Sequence, residues 1–255
     1  MATPNRGTMQ TCIVVPCYNE AGRLHGTQFA EFVESHDKIS FLFVNDGSKD
    51  NTHAALEELC ASHPGKLSLL DLKVNSGKAE AVRLGMLAAM RQIRPEFVGF
   101  WDADLATPLD AIPDFIEKLV GHDSLQMVFG ARISVLGRQV RRKPSRHYLG
   151  RLFATVVSMV LKLPVYDTQC GAKLFRVTPR LAEILAEPFL SRWIFDVEIL
   201  ARTIRASNGN RHIVEDSIFE LPLMKWDDVA GSKVHPFDFV RAVVEIACIH
   251  RKYLS

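Results

Sequence analysis

Five short apolar runs, Thr11–Val15, Ile39–Val44, Leu67–Leu72, Phe97–Trp101 and Gln126–Ala131, alternate with helix-like stretches joined by short turns. This rhythm limits the possible folds more than any other feature of the chain. Runs that are apolar on both alternating faces have to be covered on both sides, the condition of strands in a helix-flanked parallel sheet. Repeated strand–helix units give a doubly wound α/β sheet with right-handed crossovers. The helices read as one from about Ala21 with Leu24, Phe29, Phe32 and Val33 inward, and one through Leu59 capped by Asp50-Asn51-Thr52. Two more cover Ala79–Met90 and the stretch opened by Pro108 and ending at Val120.

After Arg132 the rhythm changes. A basic segment leads to an apolar helix near Tyr148–Leu163, then a turn-rich stretch at Asp167–Gly171. Helices near Arg180–Leu185 and Val197–Ala206, a strand at His212–Phe219 and a helix from about Phe237 to Tyr253 complete the reading. No internal repeat or low-complexity tract appears. The expectation is one domain over residues 1–255, a first half at 11–132 and a C-terminal elaboration at 133–255.

A hydrophobic content of 47% with 24% charged residues excludes extended disorder, and a net charge of +2 gives no global drive toward nucleic acid. Five cysteines without a Cys-x-x-Cys pair point to a reduced, cytosolic protein. The polar Met1–Gln10 stretch lacks the apolar core of a signal peptide, and no run approaches the roughly 20 apolar residues of a membrane span. The expectation is a soluble or peripheral protein.

Four polar loops follow strands and open on one edge of the expected sheet, the edge where open α/β sheets bind ligands. They are Pro16-Cys17-Tyr18-Asn19-Glu20, Asn45-Asp46-Gly47-Ser48-Lys49-Asp50, Asn75-Ser76-Gly77-Lys78 and Asp102-Ala103-Asp104. Where the chain turns at a strand end, Asp102 and Asp104 can converge on a hard cation, Mg²⁺ or Mn²⁺, that also takes diphosphate oxygens. An isolated Asp-x-Asp equally fits a solvated turn; its place after a strand favours the cation. Tyr18 offers a face to a base, Glu20 and Asp46 accept from ribose or base, and Lys78 donates to a phosphate or carbonyl. Asn45-Asp46-Gly47 is also a common turn, and Tyr18 also fits a half-buried aromatic. Gly77-Lys78 is not a phosphate loop, because Lys73 stands where that motif needs glycine.

In the second half, Asp196 and Glu198 follow Trp193 and Phe195, a pairing of acids with aromatic surface that suits a sugar. An amphipathic helix start, with Asp196 as N-cap, explains the same residues. Gln169 and Asp167 orient sugar or acceptor, or close a turn. Cys170 reads as packing.

Together these segments resemble glycosyltransferase family 2, the inverting nucleotide-sugar transferases of the Rossmann-like GT-A fold. The likeness runs through Val14–Glu20, Val44–Asp50, Asn75–Lys78, Asp102–Asp104 and Gly130-Ala131-Arg132. Asp167–Phe175, Trp193–Glu198 and Gly231-Ser232-Lys233 are similar to the branch of dolichyl-phosphate glucosyltransferases and dolichol-phosphate mannose synthases, the glucosyl type more so. The resemblance implies a nucleotide-sugar-binding half at 11–132 and an acceptor-binding half at 133–255. Pro16, Tyr18, Glu20, Asp46, Lys78, Asp102, Ala103 and Asp104 would hold the nucleotide sugar, with Asp102 and Asp104 on Mg²⁺ or Mn²⁺. Asp104, Asp196, Arg132 and Lys233 would act at the reaction centre, the last two on phosphates. Where mannose synthases have Gln two residues past the second Asp, this chain has Ala106, so UDP-glucose is favoured over GDP-mannose.

A phosphate monoester acceptor is largely a dianion near pH 7, its second pKa being about 6, and needs cations more than a base. Arg138, Arg141 and Arg142 beside the apolar Leu152–Leu161 stretch fit a polyprenyl phosphate at a membrane surface, expected on its cytoplasmic face; a solvated charge run next to a core helix fits too. A hydroxyl acceptor would instead require Asp196 as base. A nucleotide-sugar-binding module without turnover is the third possibility.

Overall fold

In the computed structural model, residues 10–141, 144–228 and 236–255 are described. The first half follows the expected alternation: β1 (Thr11–Cys17), α1 (Gly26–Ser35), β2 (Ile39–Asp46), α2 (Thr52–Ser62), β3 (Leu67–Leu72), α3 (Lys78–Gln92), β4 (Phe97–Trp101), α4 (Ile112–Gly121) and β5 (Met127–Ala131). Then come β6 (Gln139–Arg141), α5 (Pro144–Leu161), β7 (Ala172–Arg176), α6 (Pro179–Ala186) and α7 (Phe195–Ala206). The chain closes with α8 (Arg211–Ser217), β8 (Ile218–Pro222), β9 (Lys225–Asp227) and α9 (Pro236–Tyr253).

Seven strands form one sheet in the order β3-β2-β1-β4-β7-β5-β8, while β6 and β9 pair in a separate ribbon. Every pairing in the large sheet is parallel except those of β7, which runs antiparallel between β4 and β5. Alternate residues bury opposite faces. Val14, Val44 and Phe100 meet α3 and α7 on one side, and Val15, Phe43 and Trp101 meet α1 and α4 on the other. Phe29 of α1 sits edge-on to Phe41 and Phe43, each 5.0 Å between ring centres.

The structure corrects the sequence reading in three places. First, β7 was not expected, and it is the one antiparallel strand of a sheet that is, as expected, mostly parallel; Lys173 in its centre breaks the apolar run that would have signalled a strand. Second, the segment read as a strand at His212–Phe219 is helix α8 followed by β8. Asn208 and Gly209, at φ of 53° and 75°, end α7, and the Asn210 side chain accepts from Ile213 N–H to start the new helix. Third, α1 begins at Gly26, because the N–H groups of Arg23 and Leu24 close a turn on the Glu20 carbonyl.

The reversal of β7 matters for function. A parallel strand delivers its C-terminal end to the ligand edge, whereas β7 delivers its N-terminal end there. The loop before it, Asp167–Gly171, thereby arrives beside the ends of β4 and β5.

Candidate functional site

The first three loops are stitched together by their own side chains. Asn19, in the left-handed region at φ 53°, accepts from Lys49 N–H at 2.8 Å, and its own N–H donates to Ser48 Oγ at 3.1 Å. Thr52 Oγ1 accepts from the N–H groups of Glu20 and Ala21 and donates to Asp50. Pro16, still within β1, and Tyr18 and Glu20 beyond it are half-buried along this seam, with Glu20 accepting from Arg23 at 2.7 Å.

Asp46 is turned inward, 2% exposed. Its carboxylate accepts from Ser76 N–H at 2.7 Å, Gly77 N–H at 2.8 Å and Asn75 Nδ2 at 3.0 Å. It therefore shapes the loop that launches α3. Gly77 lies at φ 92°, and a side chain there would also press on the Arg192 guanidinium, whose Nε donates to Ser76 O at 3.2 Å. Arg192 was not singled out from sequence, although it stands three residues ahead of Phe195-Asp196.

Lys78, the first residue of α3, places its Nζ 2.5 Å from Asp102 Oδ1. Burial works against the lysine charge, but Asp102, Asp196 and Asp104 together hold its pKa above the ordinary lysine value. Asp102 continues the β4–β7 ladder, its N–H donating to Gly171 O at 3.0 Å. Ala103 is buried, and Asp104 Oδ1 accepts from Ala106 N–H at 3.1 Å. Burial, and then the Asp102 charge, push the Asp104 carboxyl up.

Behind this group lies a cation that the sequence reading missed. Lys173 is 0% exposed, with its ammonium 2.7 Å from Asp196 Oδ1 and donating to the carbonyls of Thr168 and Cys170. It lies over the Phe100 and Phe129 rings, its two partners across the sheet. Burial raises the Asp196 carboxyl above its usual range, against the pull of Lys173. Asp196 is not a helix cap but lies in the first turn of α7, whose cap position is Ile194, while Ser191 Oγ orders the turn before it by accepting from the N–H groups of Trp193 and Ile194. Glu198 is structural. Fully buried, it takes Arg202, the N–H groups of Leu190 and Ser191, and the Tyr253 hydroxyl, tying α7 to α9.

Arg132, at the end of β5, closes its guanidinium on Asp167 through bonds of 2.6 and 2.7 Å, and its face lies 5.3 Å from the Trp226 ring. Burial opposes that charge, and Asp167 more than restores it, holding the pKa above the ordinary arginine value. Gln169 N–H also donates to Asp167. Arg138 donates to the Pro222 carbonyl. Arg142 and Lys233 lie outside the described residues, and Arg141 is described only as a backbone position of β6. Cys170 is buried, which pushes its thiol pKa up and fits packing.

Among the described residues, no group of three His, Cys, Asp or Glu side chains is set to hold a metal. The Asp102/Asp104 pair nevertheless suits a hard divalent ion. It supplies two carboxylates, one of them made reluctant to ionise by burial and then by the other's charge, and such an ion shares its coordination with diphosphate oxygens and water. Thr107, at the position next to Ala106, turns its hydroxyl to Cys170 Sγ at 4.0 Å.

On the outer surface, α5 exposes Tyr148, Leu152 and Met159 by 73, 64 and 72%. These positions lie on one side of the helix. No helix among the described residues is long and apolar enough to cross a membrane.

Residues 12–180 match the family model described as Glycosyl transferase family 2. The chain is 30% identical over 253 residues to a dolichyl-phosphate beta-glucosyltransferase of Trichomonas vaginalis, covering 94% of this chain and 73% of that one. It is 31% identical to the dolichyl-phosphate beta-glucosyltransferase of Dictyostelium discoideum (95 and 74% covered) and 28% identical to the human one (97 and 77% covered). Among solved structures, glucosyl-3-phosphoglycerate synthase from Mycobacterium tuberculosis, crystallised with Mn²⁺, UDP and glucosyl-3-phosphoglycerate, shares the fold at a TM-score of 0.63. Sequence identity is 17%, with 96% of this chain and 80% of that one covered.

Proposed function

This chain belongs to glycosyl transferase family 2, and from that premise we propose how its sheet edge moves glucose from UDP-glucose to a polyprenyl phosphate. It is a hexosyltransferase of the dolichyl-phosphate β-glucosyltransferase kind. The observation that carries the site assignment is the meeting of Lys78, Asp102 and Asp104 at the end of β4, with Asp196 and Lys173 packed behind them.

In this reading the Tyr18–Glu20 turn holds the nucleoside, and Asp46 supports it through the 75–77 loop rather than by direct display. Lys78 donates to the diphosphate. Asp102 and Asp104 would hold a divalent ion, which would supply neutralisation of the charge on the departing nucleoside diphosphate. The lipid phosphate oxygen forms its bond to the anomeric carbon from the face opposite the diphosphate, the carbon–diphosphate bond breaks, and the sugar inverts. No proton has to be removed from a phosphate dianion. Asp196 is 6% exposed and committed to Lys173, which supports a role in holding the sugar rather than in abstracting a proton. Arg132 and Lys233 are read as the cations nearest the acceptor, with Arg138, Arg141, Arg142 and Gln169 bordering its path. The exposed apolar stripe of α5 supports contact with the lipid surface that carries the acceptor.

The test is transfer of label from UDP-glucose to polyprenyl phosphate in vesicles, with Mn²⁺ or with EDTA. Metal-dependent, organic-extractable label is expected. The double variant Leu152→Glu/Met159→Glu should lose transfer to vesicle-borne lipid and keep transfer to a short, detergent-soluble polyprenyl phosphate. Equal loss on both acceptors would sink the membrane reading, and absence of labelled lipid throughout would sink the acceptor assignment. For Asp196→Asn, transfer to lipid phosphate should fall no more than about tenfold, whereas removing a general base costs about 10²–10⁴-fold. A loss in that larger range would favour a hydroxyl acceptor.

A further inference from the structure

We propose that Lys78 is a built-in counter-cation for the metal pair, competing with the divalent ion for Asp102 and passing to the donor's diphosphate when the metal takes its place. The proposal rests on reading Asp102 and Asp104 as the metal ligands, and it adds an antagonism that such a reading does not contain.

The ammonium stands 2.5 Å from Asp102 Oδ1, a distance at which it occupies a coordination direction of that oxygen. It is not a surface pair of convenience. Lys78 is the first residue of α3, and its backbone is fixed by the 75–77 loop, which Asp46 holds with three hydrogen bonds. Asp102 is fixed from the other side by its N–H bond to Gly171 O. Asp104 and Asp196 lie close enough to act on the same ammonium. One monovalent cation thus faces several carboxylates, and Lys173 at 2.7 Å already serves Asp196. A divalent ion on Asp102 and a lysine ammonium at hydrogen-bonding distance from the same carboxylate repel each other, so each weakens the other's hold. The released ammonium has a ready partner in the diphosphate that arrives with the metal. The Lys78 side chain keeps 42% of its surface exposed, which leaves it room to swing.

Reciprocal effects on two ligands follow. Lys78→Met removes the competitor, so Mn²⁺ alone, measured by electron paramagnetic resonance on the whole chain, should bind at least about tenfold more tightly than to wild type. UDP in the presence of saturating Mn²⁺ should bind about tenfold more weakly, because its ammonium partner is gone. Lys78→Arg, which keeps a charge at the position, should leave Mn²⁺ affinity near wild type. A second measurement needs no variant. Acylation of Lys78 in the wild-type chain, followed by mass spectrometry, should speed up severalfold on adding Mn²⁺ without nucleotide, as the ammonium leaves Asp102. Unchanged or weaker Mn²⁺ binding by Lys78→Met, or unchanged labelling of Lys78, overturns the proposal. If Mn²⁺ and UDP still bind together to wild type in those experiments, only the antagonism fails. If Mn²⁺ binds to no form, with or without UDP, the metal reading of Asp102 and Asp104 falls with it.

Discussion

Gly171→Ala should reduce transfer by about 10²–10³-fold in a protein that remains folded. A Cβ built at Gly171 falls inside the carboxylate of Asp102, so the acid has to rotate away. Rotation breaks the 2.5 Å contact with Lys78 and moves Asp102 away from Asp104, its proposed partner in holding the donor's metal. Misplacing a reacting group by about 1 Å costs on the order of 10²-fold. Gly171 is not among the glycines at positive φ, so its backbone accepts alanine. The damage is therefore confined to the acid. The measurement is kcat/KM for labelled-glucose transfer beside the melting temperature, with Gly121→Ala, which meets nothing within 4 Å, as the neutral control. Turnover near wild type in Gly171→Ala would remove Asp102 from the machinery.

Lys173→Met should destabilise the fold by about 3–5 kcal/mol, the cost of leaving one member of a buried ion pair alone. For a chain of this size the melting temperature should drop by about 10 °C. Asp196 would stay buried, deprived of its cation, and its carboxyl would rise beyond the elevation that burial already causes. A carboxyl whose folded pKa is raised contributes most below the unfolded value of about 4, where it is protonated in both states, and loses that contribution as pH climbs through the folded pKa. The deficit of Lys173→Met relative to wild type should accordingly be smallest near pH 4 and grow toward neutrality. Asp196→Asn in the same chain should recover a large part of it, because the unpaired charge is gone. Thermal melts across pH of the two single variants and the double one check this; a deficit independent of pH would mean that Lys173 acts only by filling space.

The first half of the fold is legible in the sequence because its strands obey a simple rule: each is a largely apolar run and each is closed by a polar turn. Leu67–Leu72 and Phe97–Trp101 coincide with β3 and β4 for that reason. The same rule hid β7. A lysine in the middle of a five-residue strand looks like the end of a strand, and only the tertiary structure shows that its ammonium is received by two carbonyls, a carboxylate and two aromatic faces. The meeting of Asp102, Asp104 and Lys78 at one edge of the sheet is legible in the sequence because the loops that carry them follow strands. Which way a side chain turns was not legible. Asp46 faces the 75–77 loop, Arg132 faces Asp167, and Glu198 is held inside the core, and each of these orientations is set by residues remote in sequence. Arg192 escaped notice because a lone arginine before an aromatic cluster carries no spacing signal of its own.

The position of β7 also bears on how the chain comes to be folded at all. β5 is complete at Ala131, but its neighbours β7 and β8 begin 41 and 87 residues downstream, at Ala172–Arg176 and Ile218–Pro222. A chain emerging from the ribosome therefore carries β4 with one bare edge, and β5 with two, until the later segments arrive. Unpaired strand edges invite association with other chains, and closing them across such long separations is slow. The β7 residues that gather the acids at this edge of the sheet are thus among the last to be locked in.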